Sequence, residues 1–207
     1  MIAYASRTGT RQNLAYLREH GWRLMLSAKG VWNNHGFPYA IDNGAWTAYQ
    51  KQEPFDAAAF LGILATHGAG ADFVVVPDIV AGGRASLDFS TVWIDRLQRL
   101  RLPLYLEVQD GMTPKDVDLI ARGPDLRGLF VGGTSSWKDA TTPTWALFGH
   151  RRDLRVHVGR VNTERRIRLC AGAGVDSIDG SGPSRWKRHA ETMTRWMRQG
   201  SLILRGP

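Results

Sequence analysis

The sequence predicts a single-domain α/β protein, a compact (β/α)8 TIM barrel over residues 1–207. Its 207 residues are enough for one sizeable core and lie at the short end for a closed eight-stranded barrel. Hydrophobic residues make up 43% of the chain and charged residues 22%, which is typical of soluble globular proteins. Short apolar runs alternate with stretches of helical composition, and this alternation predicts a parallel sheet covered on both faces.

The apolar runs are the predicted strands, and Gly, Asp or Asn residues close them. They comprise residues 2–6, 23–27, 39–42, 72–77, 103–108, 128–131, 156–159 and 176–178. Eight repeats favour closure into a barrel. The alternative is an open doubly wound sheet, but no G-x-G-x-x-G motif follows the first strand, so dinucleotide binding has no local support.

The predicted helices have recognisable starting residues. Thr113 is a candidate N-cap, Pro114 occupies the first helical position, and Asp116 lies in the first turn. Apolar residues at helical spacing predict helices over residues 55–67 and 86–100. Asn162 or Thr163 can cap a helix that runs to residue 173. A final basic helix is predicted over residues 185–199.

The charge balance favours polyanionic partners. Lys and Arg number 27 against 19 Asp and Glu, the formal net charge is +8, and the pI is near 10.1. Arg and Lys residues crowd the final third of the chain. The single cysteine, Cys170, excludes an internal disulfide framework and a zinc site built from several cysteines.

The sequence predicts no metal and no cofactor, since the six histidines lack metal-ligand spacing. No apolar run of about 18 residues occurs, and no secretion signal is recognised. We therefore expect a cytoplasmic location, in the host if the protein is encoded by a phage.

Three aspartates lie at the carboxyl ends of predicted strands, where (β/α)8 barrels place their reactive groups. Asp42 ends the third strand, Asp78 follows the fourth and Asp179 follows the eighth. Aspartates are also common in loops and helix caps, which is the structural alternative. Carboxylates brought close cannot all ionise freely, so one can remain a protonated acid while another is an anionic nucleophile.

Four strand-end segments resemble, in nearly the same order, motifs of the tRNA-guanine transglycosylase superfamily. Residues 174–179 (Gly-Val-Asp-Ser-Ile-Asp) and 183–185 (Pro-Ser-Arg) are similar to its Gly-Val-Asp-x-x-Asp-Cys-Val-x-Pro-Thr-Arg segment. Residues 42–45 (Asp-Asn-Gly-Ala) resemble Asp-Ser-Gly-Gly. Residues 108–111 (Val-Gln-Asp-Gly) resemble Val-Gln-Gly-Gly, and residues 128–133 (Gly-Leu-Phe-Val-Gly-Gly) resemble Gly-Leu-x-Val-Gly-Glu.

This resemblance implies a base exchange at an N-glycosidic bond. Asp179 inherits the role of the nucleophile and Asp42 that of the acid and base. The resemblance also implies a purine-binding set made up of Asp78, Asn43, Gln109, Gly132 and Gly133. His157 and Arg160 bracket the end of the seventh strand, and we predict that they orient substrate or bind a phosphate.

The chain departs from the tRNA enzymes of the superfamily. It has neither the cysteines nor the length for their Cys-x-Cys-x-x-Cys and His zinc subdomain, Gly180 replaces the Cys after the nucleophile, and Gly133 replaces the Glu of the sixth-strand motif. Compact, zinc-free DNA-guanine transglycosylases, including phage forms, fit better. The expected partners are DNA rather than RNA, and a 7-deazaguanine base such as 7-cyano-7-deazaguanine.

A base inside duplex DNA must be flipped out before it can react. Residues beyond the strand ends are the predicted nucleic-acid contacts: Arg185, Lys187 and Arg188 for phosphates, and Trp186, Trp46 and Trp137 for base stacking. Two alternatives remain open at this point, an N-glycoside hydrolase and a non-catalytic nucleic-acid-binding barrel.

Overall fold

The predicted fold class is confirmed by a computed structural model, which describes residues 1–6, 10–123 and 126–203 of the chain. Eight strands form a closed barrel in which each strand pairs in parallel with its neighbours in sequence, and β8 pairs with β1. The strands are β1 (Ile2–Ala5), β2 (Arg23–Ser27), β3 (Tyr39–Asp42), β4 (Val74–Val75), β5 (Leu104–Val108), β6 (Leu126–Val131), β7 (Arg155–Val158) and β8 (Ser177–Gly180).

Helices surround this barrel. They are α1 (Arg11–Glu19), α2 (Ala45–Gln50), α3 (Ala57–His67), α4 (Arg84–Leu97), α5 (Pro114–Ala121), α6 (Ser135–His150), α7 (Glu164–Gly172), α8 (Gly182–Arg185) and α9 (Lys187–Ile203). Short 3-10 turns follow α3 and α4, at Gly68–Gly70 and Gln98–Leu100. Among the described residues no helix is both long and apolar enough to cross a membrane.

Most predicted elements differ from those observed by a few residues at their ends, and two differ more. The fourth strand was predicted over residues 72–77, but β4 is only Val74–Val75 and pairs with β3 at one position. Pro77 lacks the amide hydrogen needed to extend the ladder. The predicted final helix is divided into α8 and α9, because Trp186 between them has an extended backbone.

The capping predictions agree better with the structure. The backbone amide and the hydroxyl group of Thr113 both donate to Asp116 at the start of α5. Thr163 caps α7 by accepting from the Arg166 amide, whereas the Asn162 side chain accepts from the Gly182 amide. Thr163 is therefore the cap of α7.

Two hydrophobic cores leave one end of the barrel for chemistry. The larger core lies between the strands and the helices, and a smaller one fills the barrel interior. In the interior Tyr4 packs edge-on against Phe73, which stacks on Tyr105 with ring centroids 4.1 Å apart. An ion pair of 2.7 Å between Arg23 and Asp72 lies at the amino-terminal end of the strands. Polar groups inside the barrel above this aromatic layer face its carboxyl-terminal mouth.

Candidate active site at the barrel mouth

Four carboxyl groups are brought to the carboxyl-terminal mouth of the barrel. Asp42, Glu107 and Asp179 lie in β3, β5 and β8, and Asp78 follows β4. Side chains alternate between the two faces of a strand. Asp42 and Glu107 therefore face inward, because each lies two positions after a residue of the interior core, Ala40 or Tyr105. The three sequence-predicted aspartates thus form one electrostatically interacting group with Glu107, a residue that the sequence analysis did not single out.

Asp179 is held as an anion by three donors. His157 Nε2 lies 3.2 Å from its Oδ1, the backbone amide of Arg160 donates to the same oxygen at 3.0 Å, and the Ser6 hydroxyl donates to Oδ2 at 2.5 Å. Burial alone would raise the pKa of Asp179, but the hydrogen bonds and the influence of His157 hold it below its ordinary value. Asp179 is therefore ionised at neutral pH.

His157 supports Asp179 from below. Its ring is fully buried and stacks on Phe130 with centroids 4.8 Å apart. Its second nitrogen, Nδ1, lies 2.9 Å from the Ser177 hydroxyl. Both ring nitrogens are thus engaged within the protein. His157 was predicted to orient substrate or bind a phosphate, and in this structure its ring contacts the Asp179 carboxylate.

Asp42 has the opposite electrostatic character. Burial raises its pKa from 3.8 to about 6, the Gly44 amide hydrogen bond opposes this rise, the charge of Asp179 adds to it and Arg160 lowers it. Its Oδ1 accepts from the Gly44 amide at 3.0 Å. A carboxyl group that binds its proton near pH 6 beside a permanent anion is suited to acid and base catalysis.

Asp78 is enclosed by two amide side chains. Asn43 donates to its Oδ1 at 2.9 Å, and Gln109 lies at 3.5 Å from its Oδ2. The same Gln109 nitrogen also donates to the Ser86 hydroxyl at 2.8 Å and to the Ile79 carbonyl. Asp78, Asn43 and Gln109 are only 3%, 2% and 2% exposed. Asn43 and Gln109, which the sequence analysis assigned to substrate binding, thus use their amide nitrogens to hold Asp78 in place.

Glu107 is a half-buried carboxyl group whose side chain forms a hydrogen bond with that of Asp78. Burial raises its pKa well above the ordinary value, and the charges of Asp78 and Asp42 add to this effect, which Arg160 and Lys138 oppose. The pKa of Asp78 is also raised, to about 6, mainly by burial. The sequence does contain a signal that could have identified Glu107 as a site residue. It is a glutamate within an apolar strand, two positions after Tyr105, so both side chains point to the same face of the strand.

Two cations balance the carboxylates. Lys138 of α6 is 2% exposed, and its Nζ donates to the Gly159 carbonyl at 2.5 Å. Burial lowers its pKa to about 8, and the nearby Arg160 adds to this effect. Arg160 has a left-handed backbone with φ of 57°, donates to the Gly133 carbonyl at 2.5 Å and stacks over Trp46 at 4.1 Å. Arg160 thereby links Asp179 to the rim of the mouth.

The glycines after β6 make room for acidic side chains. A Cβ atom on Gly132 would lie 2.0 Å from Glu107 Oε1, and one on Gly133 would lie 2.3 Å from Asp110 Oδ2. Gly133 also has φ of 75°, in the left-handed region that favours glycine. Gly132 therefore gives Glu107 its place in the mouth.

We expect the Gly132→Ala substitution to destabilise the protein by about 1–3 kcal/mol, because the added methyl group displaces the Glu107 carboxyl group. Urea unfolding measures this change. Gly172→Ala is the matched control, since its Cβ would meet nothing within 4 Å at the end of α7, where alanine is favoured over glycine. Equal stabilities of the two variants would contradict the described position of Glu107.

The predicted nucleic-acid contacts lie at the same end of the barrel as Asp179, because α8 follows β8 directly. Arg185 and Arg188 are exposed, Trp186 is 69% exposed, and Lys187 lies 3.8 Å from Glu191. Of the other two tryptophans, Trp46 is 37% exposed at the rim. Trp137 is half-buried and packs against Trp145 of the outer core. Packing therefore accounts for Trp137.

The comparisons with known proteins define the fold of this chain. No protein-family model matches it, and no curated protein is significantly similar to it in sequence. Among solved structures it is similar to an open form of tryptophan synthase from M. tuberculosis, with a TM-score of 0.59 and 14% sequence identity. The match covers 97% of this chain and 92% of that chain. At this identity the likeness shows a shared (β/α)8 barrel fold.

Proposed function

We propose that this protein is a pentosyltransferase that replaces guanine in DNA with a 7-deazaguanine, such as 7-cyano-7-deazaguanine, through a covalent glycosyl-aspartate. The observation that carries the proposal is the opposite titration of two carboxyl groups in one mouth. Asp179 is held ionised by three donors, whereas Asp42 binds its proton up to about pH 6, partly because of the Asp179 charge. This pairing is what a double displacement at a sugar carbon requires.

In the first step the Asp179 carboxylate attacks C1′ of the deoxyribose. A C1′–O bond forms, the C1′–N9 bond breaks, and Asp42 donates its proton to the departing guanine. In the second step ionised Asp42 takes the N9 proton of the incoming deazaguanine. The new C1′–N9 bond forms, the ester breaks, and Asp179 regains its negative charge. The two half-reactions balance without an oxidant or a cofactor.

The resemblance to the transglycosylase superfamily adds support, since its strand-end motifs fall on residues that line the mouth. Compact, zinc-free members that act on DNA are the better model for a chain of this length. The basic flank formed by Arg185, Lys187 and Arg188 would bind phosphates on either side of a flipped nucleotide. Exposed Trp186 can stack on a base beside it.

We expect replacement of both Arg185 and Arg188 with alanine to weaken DNA binding and to reduce the slope of log affinity against log salt by about 2. Fluorescence anisotropy over a salt series measures both quantities. Replacing exposed Arg99 and Arg151 is the matched control, because the ends of helices that they occupy lie at the opposite end of the barrel. An unchanged slope in the first variant would contradict DNA binding at this flank.

The proposed reaction is tested with the wild-type protein, duplex DNA, and labelled guanine or 7-cyano-7-deazaguanine. Incorporation of the free base into DNA is the expected result. Release of guanine without incorporation would instead identify an N-glycoside hydrolase, and DNA binding without either reaction would identify a non-catalytic barrel. Asp88→Asn is a suitable control variant, because Asp88 is exposed on α4, outside the mouth.

A further inference from the structure

Lys138 is a buried cation that the two proposed half-reactions do not use. Its side chain comes from α6 and is 2% exposed. Among the described residues, the hydrogen-bond acceptor of its Nζ is the backbone carbonyl of Gly159, at 2.5 Å. Burying an ammonium group costs free energy, because the group loses its hydration. A neutral side chain could occupy this position without that cost, so packing alone does not explain a lysine here.

The Gly159 carbonyl belongs to a peptide group that also contacts Asp179. The peptide bond joins Gly159 to Arg160. Its carbonyl oxygen accepts from Lys138, and its N–H donates to Asp179 Oδ1 at 3.0 Å. In a trans peptide the C=O and N–H bonds point in opposite directions. Lys138 therefore lies on one side of this peptide group and Asp179 on the other, and one planar unit joins the ammonium group to the carboxylate.

The orientation of this peptide group is fixed by its surroundings. Arg160 has φ of 57°, a left-handed conformation that is uncommon for residues other than glycine. Such a conformation persists only where neighbouring contacts impose it. The Gly159 amide donates to the Val131 carbonyl at 3.1 Å, and a Cβ atom on Gly159 would lie 2.7 Å from the Phe130 ring. The backbone thus has little room to turn its N–H away from Asp179.

We propose that Lys138 is a positioning residue that polarises the Gly159–Arg160 peptide group and so strengthens the hydrogen bond from its N–H to Asp179. The inference rests on the proposed function and adds a residue to its machinery. A cation on the carbonyl oxygen withdraws electron density from the N–H bond, so the proton becomes a stronger donor. Burial lowers the pKa of Lys138, but only to about 8, and the group carries its charge at neutral pH.

A stronger donor at Oδ1 favours the ionised form of Asp179 over the ester. In the second half-reaction the C1′–O bond breaks and its electron pair returns to the Asp179 carboxylate, so a donor that stabilises this charge speeds the departure of Asp179. In the first half-reaction the carboxylate loses charge as it attacks C1′, and the same donor gives no such help. Lys138 therefore acts mainly on the release of DNA from the covalent intermediate.

The first test measures the peptide link in the free protein, through the chemical shift of the Arg160 backbone amide proton after ¹⁵N labelling. Lys138→Met keeps an unbranched side chain and removes the ammonium group, so the Arg160 proton should move upfield as its hydrogen bond weakens. The Gly44 amide is the internal control, because it also donates to a carboxylate of the mouth, Asp42, at 3.0 Å. Its resonance should stay in place. Lys51→Met makes the same change at an exposed site and should move neither resonance.

The second test follows the two half-reactions separately. Lys138→Met should bind DNA and form the covalent adduct as the wild type does. It should transfer DNA to an incoming base about 10- to 100-fold more slowly, as expected when a charge-assisted hydrogen bond is weakened. The adduct should therefore accumulate during turnover. A variant that had only lost packing would form less adduct, which separates the two roles of Lys138.

Several results would overturn the inference. They are an Arg160 resonance that stays in place, one that moves together with Gly44, and one that moves while transfer of DNA remains normal. If the wild type exchanged no base, the proposed function would fail, and the Arg160 resonance would still decide whether Lys138 acts on the peptide group. Thermal unfolding shows whether Lys138→Met folds. If it does not, Lys138→Gln replaces it, since a neutral amide can donate to the carbonyl, and the Arg160 proton should again move upfield.

Discussion

Replacing Asp179 with asparagine is expected to reduce base exchange by at least about 10⁴-fold, the scale seen when a covalent nucleophile is lost. Asparagine has nearly the same shape: its side-chain oxygen can still accept from the Arg160 amide, and its amide nitrogen can donate to the Ser6 hydroxyl oxygen. It cannot, however, form the ester with C1′. The measurement is single-turnover incorporation of labelled guanine into duplex DNA at saturating protein, which removes any effect on binding.

A second measurement tests whether Asp179 forms the covalent bond to DNA. Denaturing the wild-type protein during turnover without an incoming base should leave DNA attached covalently to the chain, and Asp179→Asn should leave none. Asp88→Asn should behave as wild type in both assays, and DNA affinity should be unchanged in both variants. If Asp179→Asn still exchanged bases or formed the covalent adduct, Asp179 would not be the nucleophile, and the proposed double displacement through this residue would be wrong.

The residues whose positions the sequence predicts are those that depend on local order along the chain. Periodicity and strand-end position suffice for the barrel and for Asp42 and Asp179, because the carboxyl ends of parallel strands necessarily meet at one rim. The boundaries of strands and helices depend less on the local sequence and more on contacts between elements. The ladder of β4 is short because it depends on contacts with β3 and β5, and the break at Trp186 depends on how α8 and α9 pack.

The roles of individual polar groups could not be predicted in the same way. Asn43 and Gln109 have the residue type of purine ligands, but only their neighbours in three dimensions, such as Val76 and Ser86, reveal that their donors are already used. Lys138 belongs to a helix behind the strands, and no local pattern marks its amine as part of the mouth. Glu107 was accessible to sequence reasoning through its inward parity, which the search for residues after strands overlooked.

The pH dependence of exchange should report the proton of Asp42. Its pKa is raised from 3.8 to about 6, so the group is protonated below pH 6 and ionised above it. The first half-reaction needs the protonated form, and kcat/KM should therefore fall about tenfold per pH unit above pH 6. Asp179 has a lowered pKa and must be ionised, so the acid side of the profile should fall only below its ordinary value of 3.8.

The pKa of Asp78 is also raised to about 6, so a variant is needed to show which of the two aspartates causes the decrease in kcat/KM above pH 6. Asp42→Asn should lose about 10²- to 10⁴-fold in rate with guanine, the usual contribution of a general acid, and the fall above pH 6 should disappear. It should remain folded at pH 8, since a buried carboxyl group with a raised pKa contributes stability that is lost as pH rises through that pKa. The Asp42→Asn variant has no carboxyl group to ionise at this position, so it does not lose stability in this way.

A charged leaving group isolates the proton transfer from every other effect of the Asp42→Asn substitution. DNA that carries N7-methylguanine already holds a positive charge on the base, which can depart without a proton from the protein. A site that accepts 7-substituted bases has room for the methyl group. We expect Asp42→Asn and the wild type to displace N7-methylguanine at similar rates, after correction for spontaneous loss. A defect as large as that seen with guanine would mean that Asp42 binds or aligns the nucleotide and that the proton comes from another group.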